Sequence, residues 1–143
     1  MGGVLLTLVP QSTRMLALAG MMASDGRCKT LDASADGYVR SEACKVLYLE
    51  SGSSAPSSTA ENVAILLGCG VNTNGRASAL TAPHGPSQQA LLRSVLAAAA
   101  VSVGDVSGLQ LHANGTPLGD PIEAGAVAAV HMQVLIDTLS PQP

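Results

Sequence analysis

The residues of this chain best placed to do chemistry lie in one stretch, HANGTPLGDPIE, running from His112 through Asp120 to Glu123. One imidazole, two carboxylates and the later His131 could be imagined around a metal ion. The spacing argues against it. No HExxH-like pattern occurs, and both carboxylates have other work at a helix start: Asp120 reads as an N-cap, Pro121 as the first helical residue, and Glu123 as the residue completing a capping box. A histidine taken alone is ordinarily a surface or satisfied core residue. His84, two residues before Pro86, reads as leading into a helix, and His131 as a solvent or interface residue of the last helix.

Cys28, Cys44 and Cys69 are odd in number, widely spaced and without a CxxC pair. That pattern points to a reducing compartment, cytoplasmic or otherwise intracellular, and away from a disulfide framework or a zinc site. Cys28 stands between Arg27 and Lys29, the cationic flanking found at reactive thiols. Cys44 leads into a strand and Cys69 falls within an apolar run. Each reads first as a structural cysteine, since free cysteine is among the most buried residue types. Asn72-Thr73-Asn74-Gly75 with Arg76 reads as a turn first and a carrier or substrate contact second, and it lacks the form of a phosphate loop.

The elements that must position these residues come from 143 residues, enough for one modest domain. Hydrophobic residues make up 47%, which supports a packed core, and a net charge of -3 argues against disorder. With 12% charged residues there is no basic face for nucleic acid and no polybasic membrane patch. No apolar run approaches the length of a membrane span. Phe and Trp are absent. Leu, Val and Ala must therefore fill the core, and Ala buries little area at roughly 25 cal/mol per Å². A chain of this size and composition is expected to be weakly stable alone.

Residues 4–9 form a short apolar run ended by Pro10, as in a buried strand. Ser12 or Thr13 can cap a short helix stopped by Gly20. Residues 23–40 are turn-rich, and 46–50 read as a strand. The segment 51–61, SGSSAPSSTAE, is a Ser/Gly/Pro linker and the clearest boundary. Beyond it, 63–71 is an apolar run suited to a strand buried on both faces. Pro86 then opens a helix with Leu91, Leu92, Val95, Leu96 and Ala99 on one stripe. Leu109 and Leu111 alternate toward His112 as a second strand, and the last helix runs from Asp120 to about residue 136. This alternation predicts an α/β sheet with helical crossovers.

Three strings, in this order, resemble the middle of a β-ketoacyl synthase (ketosynthase) domain of type I polyketide and fatty-acid synthases. They are DGRCKTLDASADGYVRSEACKVLYLE at 25–50, VNTNGRASALTAPHGPSQQALLRSVLAAAAVS at 71–102, and HANGTPLGDPIEAGAV at 112–127. The resemblance runs from residue 2 to about 127; residues 128–143 carry none. It implies a partial thiolase-like α/β fold, layered αβαβα: residues 1–50 are the end of the N-terminal half and 62–143 the start of the C-terminal half. It also implies an acyltransferase chemistry. A cysteine takes an acyl group as a thioester, a malonyl-type extender loses carbon dioxide, and the enolate attacks that thioester. His112 matches one of two histidines that hold negative charge on the enolate oxygen, and preorganised donors of that kind are usually the largest catalytic term. Asn114 and Thr116 match residues bonding the pantetheine arm, with Asp120 and Glu123 anchoring the loop by capping. No bound cofactor is implied. The substrates are phosphopantetheine-linked acyl thioesters, and the partners are an acyl carrier protein, the remaining ketosynthase segments and, since family members are dimers, a second copy.

The departures matter as much. The family nucleophile sits in an Ala-Cys-Ser-Ser-Ser-type motif with no counterpart in this sequence, and the second histidine and the lysine of later motifs have none either. None of Cys28, Cys44 or Cys69 holds the nucleophile's position. Where the family reads Arg-Gly-Glu-Gly-x-Gly this chain reads Arg40-Ser41-Glu42-Ala43-Cys44-Lys45, which costs about 1–2 kcal/mol per position if those glycines hold positive φ. Gly-Thr-Gly-Thr after the histidine becomes Ala113-Asn114-Gly115-Thr116, and Gln110 replaces a common glutamate. The sequence therefore predicts ketosynthase descent with no turnover by this chain alone. The alternative is a non-catalytic thiolase-like module binding an acyl chain, a carrier protein or a partner subunit.

Overall fold

A computed structural model describes residues 1–50, 64–77, 79 and 82–139, with 133–139 as helical backbone alone. The linker expected at 51–61 lies outside the described residues. Strand β1 (Gly2–Leu5) pairs antiparallel with β2 (Ala43–Val46), Gly2 facing Val46 and Leu5 facing Ala43. Both strands lie a few residues ahead of the runs expected at 4–9 and 46–50. The first helix, α1 (Pro10–Leu18), begins at the proline expected to end a strand. Pro10 occupies the first helical turn, where a missing N–H is no loss. Val9 is the N-cap, so neither Ser12 nor Thr13 caps the helix; Ser12 Oγ instead donates back to Val9 O at 3.2 Å. Gly20 does end it. Its φ of 68° lets the Gly20 and Met21 amides reach Ala17 O and Leu16 O.

The turn-rich segment folds into a compact knot. Ala23 N donates to Tyr38 O and Tyr38 N to Met21 O, bringing the two ends of the segment together. Gly37 lies so close to the Met21–Ala23 backbone that a Cβ would come within 2.6 Å of Ala23 N. Lys29 Nζ binds Asp36 Oδ1 at 2.6 Å and Asp25 Oδ1 at 3.2 Å across the same knot.

Helix α2 (Gly85–Ala99) carries Pro86 in its first turn as expected, and Leu91, Leu92, Val95, Leu96 and Ala99 are its half-buried stripe. It packs against α3 (Gly119–Leu139), with a 3-10 turn at Val103–Asp105 between them. The expected strands at 63–71 and 109–111 do not form in the described residues. A strand exists through its ladder of hydrogen bonds, and among the described residues no segment pairs with either run. Residues 64–71 instead approach α2 through glycines: a Cβ on Gly70 would come within 2.7 Å of Val95 Cγ2, and one on Gly68 within 3.2 Å of Ala99 Cβ.

The core is as small as the composition implies. Its buried apolar residues are Ala23, Ala82, Val103, Ala113, Ala126 and Val130, and the one buried charged residue among those described is Asp120. Ile65, Leu66, Leu67 and Val71 are exposed, as are Val4, Val46, Leu47 and Tyr48. All three cysteines are exposed, Cys69 included, which corrects the expectation of burial. Cys69 loses its cover because 64–71 forms no strand in a two-sided sheet. Among the described residues, no helix is long and apolar enough to cross a membrane.

Candidate functional site

The amides of the loop between His112 and Thr116 are held by two carboxylates from the first turns of α3. Glu123 accepts the His112 amide on Oε1 and the Ala113 amide on Oε2, both at 2.8 Å. Asp120, only 2% exposed, accepts the Gly115 amide on both oxygens at 3.2 and 3.1 Å and the Thr116 amide at 3.3 Å. It also accepts the Leu31 amide at 3.0 Å, from the N-terminal third of the chain. The expected capping box is thus corrected. Helix α3 starts at Gly119, two residues before the expected first helical residue Pro121, and its carboxylates turn outward to the preceding loop. The reason is supply: Asp120 N and Ile122 N already reach Thr116 O and Leu118 O. A buried carboxylate does best where several donors converge, and the loop amides provide them.

The turn-rich knot closes the loop from the other side. Thr30 Oγ1 donates to Ala113 O at 2.6 Å, and Gly37 N donates to Gly115 O at 3.0 Å. Gly115 has a φ of 85°, and a Cβ there would come within 2.6 Å of Lys29 N. Nothing in the sequence singles out Thr30 or Leu31, and Asp36-Gly37 reads only as a turn, yet the partners of Thr30, Leu31 and Gly37 lie some eighty residues away in the chain. No local pattern marks such contacts. The knot is itself braced electrostatically. The Lys29 ammonium holds the Asp36 carboxyl below its ordinary value, and its bond to Asp36 raises Lys29 in turn.

Ala113 carries a φ of 27°, a conformation that costs a residue with a Cβ. The loss of glycine beside the histidine is therefore felt in the backbone. The Arg40–Lys45 substitutions behave differently. Non-glycine residues of positive φ among those described are Leu31, Ala100 and Ala113, so Ser41, Ala43 and Lys45 bear no such strain. Ala43 and Lys45 lie in β2, and Glu42 Oε1 accepts both the amide and the hydroxyl of Thr7, which holds its carboxyl below the ordinary value.

The loop side chains open on a cleft of about 260 Å³ lined by His112, Asn114, Thr116, Asp120, Glu123 and, from the start of α2, Gln88. His112 is exposed, lines the cleft and is held by its backbone amide. Thr116 Oγ1 donates to Asn114 Oδ1 at 3.2 Å. His84 stands apart as the N-cap of α2, its Nδ1 2.8 Å from Ser87 Oγ, and His131 is half-buried on α3. Among the described residues, no three His, Cys, Asp or Glu side chains gather as a metal site would require. The 72–76 segment forms a turn with Gly75 at φ 60°, tied to α2 by Asn72 Nδ2 donating to Ser87 O.

Both halves of the chain match known proteins. The family profile described as "Beta-ketoacyl synthase, C-terminal domain" matches residues 63–137, and "Beta-ketoacyl synthase, N-terminal domain" matches 1–55. Erythronolide synthase EryA2 of Saccharopolyspora erythraea is 42% identical over 92% of this chain and 4% of its own length. Pikromycin polyketide synthase component PikAIII of Streptomyces venezuelae is 41% identical over 92% of the chain and 8% of its own. Among solved structures, the ketosynthase from module 6 of the bacillaene synthase of Bacillus subtilis superposes with a TM-score of 0.87 at 34% identity, over 92% of this chain and 23% of that one. The chain thus spans a small part of the proteins it matches. It belongs to the β-ketoacyl synthase family, with a partial ketosynthase fold that joins the end of the N-terminal domain to the start of the C-terminal domain.

Proposed function

We propose that this chain supplies the enolate-stabilising histidine loop of a β-ketoacyl synthase-type acyltransferase, and that it does not by itself carry out acyl transfer. The observation that carries the reading is the two-carboxylate grip on the loop amides, which points His112, Asn114 and Thr116 into one cleft. In the condensation, the bond between the extender's α-carbon and its carboxylate breaks and carbon dioxide leaves. The electron pair becomes an enolate, and His112 donates an N–H to the enolate oxygen as its charge grows. A donor fixed before the charge appears needs no reorganisation at the moment of reaction. The enolate carbon then attacks an acyl thioester and displaces a thiolate. Asn114 and Thr116 hold the pantetheine arm, and Asp120 and Glu123 keep the loop in register. An acyl carrier protein delivers the arm, and the layered thiolase-like sheet is completed by other ketosynthase segments docking on the exposed apolar residues of 65–71 and β2.

The test has two readouts on the purified chain. Titration with malonyl-pantetheine is expected to shift the amide resonances of 112–116, and an unchanged spectrum overturns the cleft assignment. Incubation with an acyl-pantetheine thioester is expected to leave the intact mass unchanged. A covalent acyl adduct on Cys28, Cys44 or Cys69 would overturn the claim that the chain lacks a competent nucleophile.

A further inference from the structure

Two of the non-glycine residues with positive φ among those described, Leu31 at 54° and Ala113 at 27°, stand at either side of one hydrogen bond, from Thr30 Oγ1 to Ala113 O. The other, Ala100 at 53°, is the C-cap of α2, where left-handed backbone is an ordinary way to end a helix. Leu31 and Ala113 have no such local account. Each is instead gripped by groups from elsewhere in the chain. Asp120 Oδ2 accepts the Leu31 amide at 3.0 Å, Glu123 Oε2 accepts the Ala113 amide at 2.8 Å, and Thr30 Oγ1 donates to Ala113 O at 2.6 Å. The amide and the carbonyl of Ala113 are thus both held, which fixes the rotation on either side of its Cα. Backbone strained in this way persists only where its surroundings over-determine it.

We infer that Thr30 is a positioning residue for His112: its hydroxyl holds the carbonyl of the strained Ala113, and with it the angle at which His112 stands to Asn114. The inference rests on the role given to His112 under the proposed function and adds a residue that acts on it from a distance. Ala113 is the one residue between His112 and Asn114, both of which line the cleft, so its two backbone rotations set their relative orientation. The two groups that hold Ala113 differ in origin. Glu123 belongs to the helix that follows the loop, whereas Thr30 reaches it from the knot, 83 residues away in the chain. Thr30 lies at the end of the N-terminal domain and Ala113 near the start of the C-terminal domain. The bond therefore makes the setting of the histidine depend on the seating of one half against the other. One neutral hydrogen bond stabilises by about as much as a left-handed alanine costs. Loss of this bond is enough to let Ala113 turn back to negative φ.

The experiment compares Thr30→Val, which removes the hydroxyl and keeps the branched shape, with Thr30→Ser, which keeps the hydroxyl. Both are made in the whole chain and again together with Ala113→Gly, where positive φ carries no steric penalty. Three quantities are read by NMR without ligand: the amide–Hα coupling of residue 113, which reports its φ, the imidazole resonances of His112, and deuterium exchange of the His112 and Ala113 amides. Thr30→Val is expected to change the coupling, to move the His112 ring resonances and to quicken exchange of both amides about five- to tenfold, the worth of one hydrogen bond. Thr30→Ser is expected to restore all three. In the Ala113→Gly chain, Thr30→Val is expected to leave the His112 ring resonances in place, because glycine keeps the conformation without help. A hydroxyl with a merely structural role moves them equally in both chains, and that result overturns the inference. So do His112 resonances in Thr30→Val that match those of the unsubstituted chain. The unsubstituted chain gives a test that depends on no variant folding: a negative φ at Ala113 overturns the inference. None of these measurements uses a ligand, so a malonyl-pantetheine titration that leaves 112–116 unmoved sinks the proposed function without touching the Thr30 result.

Discussion

Asp120 holds Gly115 through both carboxylate oxygens while Gly115 presses its Cα against the amide of Lys29, where no Cβ would fit. The bond and the close approach are two sides of one arrangement. The carboxylate pulls the loop down onto α3, and the knot formed by residues 21–38 covers it from above. The histidine loop is therefore clamped between two parts of the chain that are far apart in sequence.

Gly115→Ala breaks that clamp sterically. The new Cβ meets Lys29 N at 2.6 Å and Gly37 O at 3.1 Å, at a φ of 85°. A destabilisation of roughly 2–4 kcal/mol is expected from the strained φ and the backbone clash together. Urea unfolding measures it, and a change below about 0.5 kcal/mol, on the order of an ordinary surface substitution, would show that the knot does not seat on the loop.

Asp120→Asn removes the charge and one acceptor while keeping the volume. The amides of Leu31, Gly115 and Thr116 then share a single carbonyl oxygen, at a cost of about 1–3 kcal/mol. Glu123→Gln leaves either His112 or Ala113 without its partner. Exchange of those two amides with solvent deuterium is expected to quicken about tenfold or more, with α2 unaffected. Equal protection in both chains would mean that Glu123 does not hold the histidine backbone.

Ala113→Gly relieves a backbone that carries φ 27°. The strain removed, about 1–2 kcal/mol, exceeds the entropy cost of glycine, roughly 0.5–1 kcal/mol. A net gain of about 0.5–1 kcal/mol is expected from those two terms. A loss measured by urea unfolding would show that the buried methyl outweighs the strain.

Acid sensitivity follows from carboxylates held below their ordinary values: Asp36 by Lys29, Glu42 by the Thr7 amide and hydroxyl, Asp32 by the amide and hydroxyl of Ser34. Groups depressed on folding contribute stability that is fully present above their unfolded value, near pH 4, and lost as pH falls through the folded value. Stability is therefore expected to decline below about pH 4. Lys29, raised by Asp36, contributes below its unfolded value and loses that contribution only at strongly alkaline pH. Asp36→Asn should flatten the acid limb of a stability–pH curve; an unchanged limb would place the acid-labile contacts elsewhere.

How much of this was legible in the sequence depends on the range of the interaction that decides each feature. Helix α2 was, because Pro86 and the Leu91–Leu92–Val95–Leu96–Ala99 stripe are local signals that no distant contact overturned. The end of α1 at Gly20 was legible for the same reason, and the family membership was carried by three long strings in order. Asp120 and Glu123 could be picked out, but as caps of their own helix. Their true partners depend on where the preceding loop folds back. The strands at 63–71 and 109–111 were read from apolar periodicity alone, yet a strand is defined by a neighbour, and periodicity does not provide one. Thr30 and Leu31 left no mark in the sequence, because what distinguishes them is a bond made across the fold. Types and spacing determined the family and the stripe of α2; the tertiary structure alone decided what holds the His112 backbone, since which amides a carboxylate meets depends on where distant segments fold and is encoded by no residue type.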